Sequence, residues 1–66
     1  MNILLNGAAQ ELREGADVAE LLKVAGLAEK RVAVEVNLEI VPRSQHATHV
    51  LRAGDRVEIV HAIGGG

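Results

Sequence analysis

Only one stretch of this chain has helical periodicity, and it has a single apolar stripe. Val18, Leu21, Leu22 and Ala25 fall at i, i+3, i+4 and i+7, which places them on one helix face. Such a stripe must be covered by something, and the remaining apolar runs are too short for a second helix. They are strand-sized, so the chain is predicted to lay one helix on one face of a sheet. The helix limits are also readable. Asp17 can cap the N-terminus, and Glu20, three residues on, can reach back to the Asp17 amide. Gly26 suits the left-handed residue that ends a helix.

The strands are marked by their boundaries. Ile3-Leu4-Leu5 runs into Asn6-Gly7, a strong hairpin signal, which predicts a second strand near Gln10 to Arg13. Val32 to Val36 is β-branched and alternating. Ile40-Val41 resumes an apolar run that Pro42 ends or marks as an edge. Ser44 to His49 reads as irregular, with room for one helical turn. Ala53-Gly54-Asp55-Arg56 reads as a turn before a last strand, Val57 to Ile63. The order is strand, strand, helix, strand, strand, strand, an α+β architecture with no internal repeat or linker.

Composition narrows the chemistry. The chain has 66 residues, 48 % hydrophobic, with no Phe, Tyr or Trp. Its core must be Val, Ile, Leu and Ala, and its stability modest, because so small a domain buries only about 60 % of its unfolded surface. A net charge of −2 without a basic cluster, and without aromatic platforms, argues against nucleic acid. No apolar run approaches a membrane span and no signal-peptide pattern opens the chain, so a cytoplasmic protein is expected. With no cysteine, there is neither a disulfide nor a thiol nucleophile. Any sulfur handled must come from outside and sit on another group.

The chain ends in Gly64-Gly65-Gly66. Without Cβ atoms these residues can pass close to other atoms. A rigid strand followed by a bare acidic end reads as an arm offering its terminus to another protein; the plainer reading is a frayed terminus.

Several segments together resemble one family: Met1-Asn2-Ile3-Leu4-Leu5-Asn6-Gly7, Val18-Ala19-Glu20-Leu21-Leu22, Val34-Glu35-Val36-Asn37 through Ile40-Val41-Pro42-Arg43, Gly54-Asp55-Arg56-Val57, and the final Gly65-Gly66. They resemble the sulfur carrier proteins of thiamine biosynthesis, ubiquitin-like proteins of the β-grasp fold. The resemblance implies a five-stranded mixed sheet packed on one helix. It makes residues 1–63 a single β-grasp domain and residues 64–66 a flexible C-terminal tail. Two positions depart from the family pattern. Leu38 stands where a small or polar residue is common, and a Leu takes positive φ only at a cost. Gly64 stands where Ala is common.

The resemblance also implies a chemistry. The Gly66 carboxylate would be adenylated by an activating enzyme using ATP and magnesium. Sulfur, from a donor such as a cysteine desulfurase, would displace AMP and leave a thiocarboxylate. A thiazole synthase would take that sulfur for the thiazole ring. A carboxylate with a pKa of about 3.3–3.7 is ionised at neutral pH and a poor acceptor, whereas a mixed anhydride carries a good leaving group. The chain itself would be a co-substrate rather than an enzyme, binding no cofactor or metal. Gly64, Gly65 and Ile63 would contact the partner. Ile63 can equally be the last core residue of its strand. Fully extended, Ile63 to Gly66 spans at most roughly 13–14 Å, enough to enter a closed site while the body stays outside.

Other constellations are weaker. His46, His49 and His61 lack a companion Cys or close carboxylate and read as solvated or hydrogen-bonded surface histidines rather than zinc ligands. Lys30-Arg31 reads as a solvated basic pair. Arg43 and Arg56 can meet an acidic patch on a partner or pair with nearby carboxylates. Gly54-Asp55 is better explained by a hairpin than by a phosphate loop. Alternatives that share the glycine end are the small subunit of molybdopterin synthase and a ubiquitin-like protein modifier. A β-grasp interaction domain with an accidental tail is the third reading.

Overall fold

A computed structural model describes residues 1–61. Its elements are β1 (Asn2–Leu5), β2 (Ala8–Glu11), α1 (Val18–Val24), β3 (Val32–Val36), β4 (Glu39–Val41), a 3₁₀ turn (Arg43–Gln45) and β5 (Arg56–His61). The five strands form one mixed sheet in the order β2-β1-β5-β3-β4. β1 and β5 run parallel, and the other neighbours are antiparallel. The last strand therefore lies in the middle of the sheet. No helix of the described residues is long and apolar enough to cross a membrane.

The helix stripe meets the sheet face expected from alternation. Val18, Leu21 and Leu22 are buried with Ile3, Val34, Val36, Val57 and Ile59, while Leu5 packs half-buried at the margin. Ala25 is also half-buried, as the C-cap. Leu12, Ala16, Val41 and Leu51 complete the core. The second strand starts earlier than its expected position near Gln10 to Arg13, because the Asn6-Gly7 loop is only two residues and pairs Leu5 with Ala8 at once.

Asp17 caps the helix by accepting the Glu20 amide at 2.8 Å. The reciprocal half of the expected box does not form. The Glu20 carboxylate turns instead to Arg13, whose Nε lies 2.9 Å from Oε1 and 2.7 Å from Oε2, so a charged partner wins over a backbone amide. Gly26 ends the helix at φ +76.

Two tight turns have matching backbones. Asn6-Gly7 has φ of +49 and +85, and Asn37-Leu38 has +51 and +71. These paired positive values are the geometry of type I′ hairpins, for which Asn-Gly is the natural pair. Leu38 is held there because Asn37 is pinned. Its amide donates to the Arg56 carbonyl at 2.7 Å, its Oδ1 accepts the Arg56 amide at 3.0 Å, and its Nδ2 donates to Asp55 Oδ1 at 3.1 Å. Left-handed backbone costs an L-residue about 1–2 kcal/mol, partly offset in a Gly variant by greater unfolded-chain entropy. With its side chain 79 % exposed, Leu38 recovers little by burial. Leu38→Gly is expected to raise stability by about 1 kcal/mol, seen as a higher melting temperature by circular dichroism. A lower melting temperature would mean that the leucine contributes contacts outweighing its strain.

The N-terminus is tied down electrostatically. The Met1 ammonium donates to Glu11 Oε2 at 2.8 Å and to the Leu12 carbonyl at 2.6 Å, with Glu14 Oε2 at 3.8 Å. The Glu11 hydrogen bond, opposed by desolvation, holds the amine above its ordinary pKa of 8.0. A group raised on folding stabilises fully below its unfolded pKa, and that stabilisation is lost as pH rises through the folded value. Melting temperature is therefore expected to decline from about pH 8 upward, and Glu11→Gln should flatten the decline. Equal slopes in the two proteins would contradict the assignment.

Candidate functional site

The glycine end follows the central strand. Within Arg56–His61, the residues from Val57 to His61 pair on one side with the whole of β3, from Val36↔Val57 to Val32↔His61. On the other side β5 meets β1 at Leu4↔Arg56 and Leu5↔Val57. Asn6 extends that second contact beyond the strand itself. Its Oδ1 accepts the Ile59 amide at 2.9 Å and its Nδ2 donates to the Ile59 carbonyl at 3.2 Å, so one side chain replaces a missing backbone partner. The body thus fixes the course of β5 as far as His61.

Ile63, Gly64, Gly65 and Gly66, the residues proposed from sequence to carry the chemistry, lie outside the described residues. So do the boundary at residue 63 and the tail at 64–66. Their starting point is nevertheless set. Residues 62–66 follow a strand end next to Val32, and five residues reach at most about 17–18 Å.

The sheet face away from α1 carries exposed apolar side chains, with Leu38 and Ile40 both about three-quarters exposed and Leu4 and Val60 less so. A cavity of about 540 Å³ opens there between the two tight turns, lined by Leu4, Asn6, Gly7, Leu38, Arg56, Val57 and Glu58. It is a surface for contact, with no converging nucleophile and base.

The histidines do not converge. His46 corrects the surface reading: it is buried, and its Nε2 lies 3.1 Å from the Val41 carbonyl. A carbonyl only accepts, so Nε2 carries the proton. The ring ties the 3₁₀ turn to the end of β4. His49 contributes its carbonyl to the Val18 amide at 3.1 Å, and His61 is exposed on β5. Among the described residues, no three His, Cys, Asp or Glu side chains gather as a metal would need. Sequence reasoning missed His46 because its neighbours Gln45, Ala47 and Thr48 show no apolar period. Arg56 instead lines the outer cavity, while its backbone holds the Asn37 turn. Gly54 is a turn glycine at φ +86, as expected.

The model of the ThiS family matches residues 3–66. A thiazole synthase of Paramagnetospirillum magneticum is 42 % identical over 66 residues, all of this chain but 20 % of that protein. The chain thus spans about a fifth of that relative's length. The sulfur carrier protein ThiS of Escherichia coli is 36 % identical over the whole of both chains. The crystal structure of the thiamine biosynthesis protein ThiS from Geobacter metallireducens superposes with a TM-score of 0.86 at 33 % identity, again over all of both chains. The mixed five-stranded sheet on one helix is accordingly the β-grasp arrangement of that protein. End-to-end agreement in family match, sequence and fold leads to one conclusion: the chain belongs to the ThiS family.

Proposed function

We propose that this chain is a sulfur carrier for thiamine biosynthesis, acting through the carboxylate of Gly66. The observation that carries the proposal is the end-to-end match to the Escherichia coli sulfur carrier, 36 % identical over all of both chains. A supporting feature is the sequence itself, which runs from β5, bonded to β1 and β3, through Ala62 and Ile63 into three glycines.

The chemistry assigned to Gly66 proceeds in two exchanges. Its carboxylate oxygen attacks the α-phosphorus of ATP, with magnesium, in an adenylating partner, and pyrophosphate leaves. A sulfur nucleophile from a donor such as a cysteine desulfurase then attacks the acyl carbon, and AMP leaves with the former carboxylate oxygen. With a persulfide donor the product is an acyl disulfide; a thiol then attacks the donor-side sulfur, the S–S bond breaks, the donor is left in a disulfide with that thiol, and Gly66 carries the thiocarboxylate. The consumer is a thiazole synthase, a partner supported by the relatives of that name in which a region like this chain occupies a fifth of the length. The chain contributes the reacting group and its presentation; catalysis belongs to the partners.

The test is intact mass spectrometry after incubation with the cognate adenylating enzyme, ATP, magnesium and a sulfur source. One oxygen-for-sulfur exchange, dependent on ATP, is expected. An unchanged mass with an enzyme that is active on its own carrier would overturn the proposal.

A further inference from the structure

Basic side chains collect at one place in this otherwise acidic chain. Lys30, Arg31 and Arg43 line a cavity of about 300 Å³ whose other walls include Leu22, Val32 and the buried His46. An adjoining cavity of about 270 Å³ shares Leu22, Arg43 and His46 and adds Lys23. All four Lys and Arg side chains are exposed. Among the described residues, the ion pairs lie elsewhere, at Met1 with Glu11 and Glu14 and at Arg13 with Glu20. Glu29 lines a third depression with Lys23 and Lys30.

The location matters as much as the charge. Val32, in the wall of the first cavity, pairs with His61, the last described residue of β5. The patch therefore borders the point from which residues 62–66 depart. Any protein that encloses Gly66 must bring its surface within about 17–18 Å of that point.

Resting on the sulfur-carrier reading, we infer that this cationic rim docks on an acidic surface surrounding the tail entrance of the adenylating enzyme. The lining selects a protein surface over a small anion. Leu22 and Val32 give an inorganic phosphate nothing, whereas an apolar side chain ringed by carboxylates uses both the wall and the rim. The net charge of −2 turns an acidic partner away from the rest of the molecule, so the patch orients the encounter as well as strengthening it. Rim charges of this kind act mainly on association and respond to salt.

The experiment measures pyrophosphate exchange by the cognate adenylating enzyme against carrier concentration, at low and at high salt. It compares the parent with Lys30→Glu/Arg31→Glu, Arg43→Glu and Arg52→Glu. Arg52 lies in the turn before β5, at the opposite end of that strand from the tail, so its reversal matches the charge change of Arg43→Glu and is half that of the double variant. The double variant is expected to raise KM about tenfold or more at low salt with kcat retained, and the gap should narrow as salt rises. Arg43→Glu should shift KM in the same direction, and Arg52→Glu should behave like the parent. If the double variant matches Arg52→Glu in KM, or loses kcat alone, the docking inference is wrong. Should the glutamates lower the melting temperature, Lys30→Ala/Arg31→Ala gives the same comparison without charge reversal. Turnover of the parent judges the sulfur-carrier reading, and the variant-to-parent ratio judges the patch. A parent that is never adenylated overturns both.

Discussion

Deleting Gly66 is expected to abolish ATP-dependent adenylation and thiocarboxylate formation while leaving the melting curve unchanged. The deletion shortens the reach from His61 by about 3.3–3.6 Å. A misplacement of about 1 Å can already cost a hundredfold in rate, so a fall of at least about a hundredfold is expected. Appending one residue after Gly66 should do the same, since it moves the reacting carboxylate and adds a side chain. The core of the described residues contains nothing from this end, so both proteins should fold as the parent does. Gly64→Ala should be nearly silent, because it lies two residues from the chemistry. The measurement is pyrophosphate exchange on all four proteins, with circular dichroism melts alongside. Full activity in the extended protein would falsify the terminal-carboxylate mechanism.

The largest stability effect is expected at the helix stripe. Leu21 has no exposed surface and Leu22 only 6 %. Truncating either to Ala removes buried methyl groups and leaves a cavity, at about 2–5 kcal/mol. A chain of this length holds roughly 3–10 kcal/mol in total. Either substitution should therefore lower the melting temperature by roughly 10–40 °C, with Leu21 the more severe because its burial is complete. The absence of Trp and Tyr makes circular dichroism or calorimetry the proper readout. Melting curves that overlay the parent would contradict the core as described.

These two cases also mark what the sequence could and could not reveal. The stripe was legible because four apolar residues share one period, and strand alternation put Val34, Val36, Val57 and Ile59 on the correct face. Pro42 and Gly26 marked their boundaries for the same reason: each has a backbone property that few other residues share. Leu12, Ala16 and Leu51 were not legible. Each is a single buried residue in a connection, brought inward by long-range bonds such as the Leu51 amide to the Ala16 carbonyl at 2.8 Å. His46 is another case, buried by the turn that carries it and not by any pattern around it. Glu20 was assigned to the helix cap because its spacing fits, but Arg13, seven residues back, offers the stronger partner. The site residues Ile63 to Gly66 were legible as candidates by composition, and their geometry lies outside the described residues. The cationic rim was not legible as a unit, because Lys23, Lys30, Arg31 and Arg43 come from separate connections and one helix end.

The central position of β5 has a mechanical consequence. A pull applied at His61 along the axis of β5 would load a strand bonded to neighbours on both sides. Bonds such as Leu4 amide to Asp55 carbonyl and Asn6 amide to Val57 carbonyl, both 2.9 Å, lie across that axis. So does the ladder to β3. The load is shared by all of them in shear, and they must fail together. Had the glycine end followed β2 or β4, at the borders of the sheet, a single ladder would carry the same pull. Two ladders thus resist a load applied at the end of β5 where a border strand would have one.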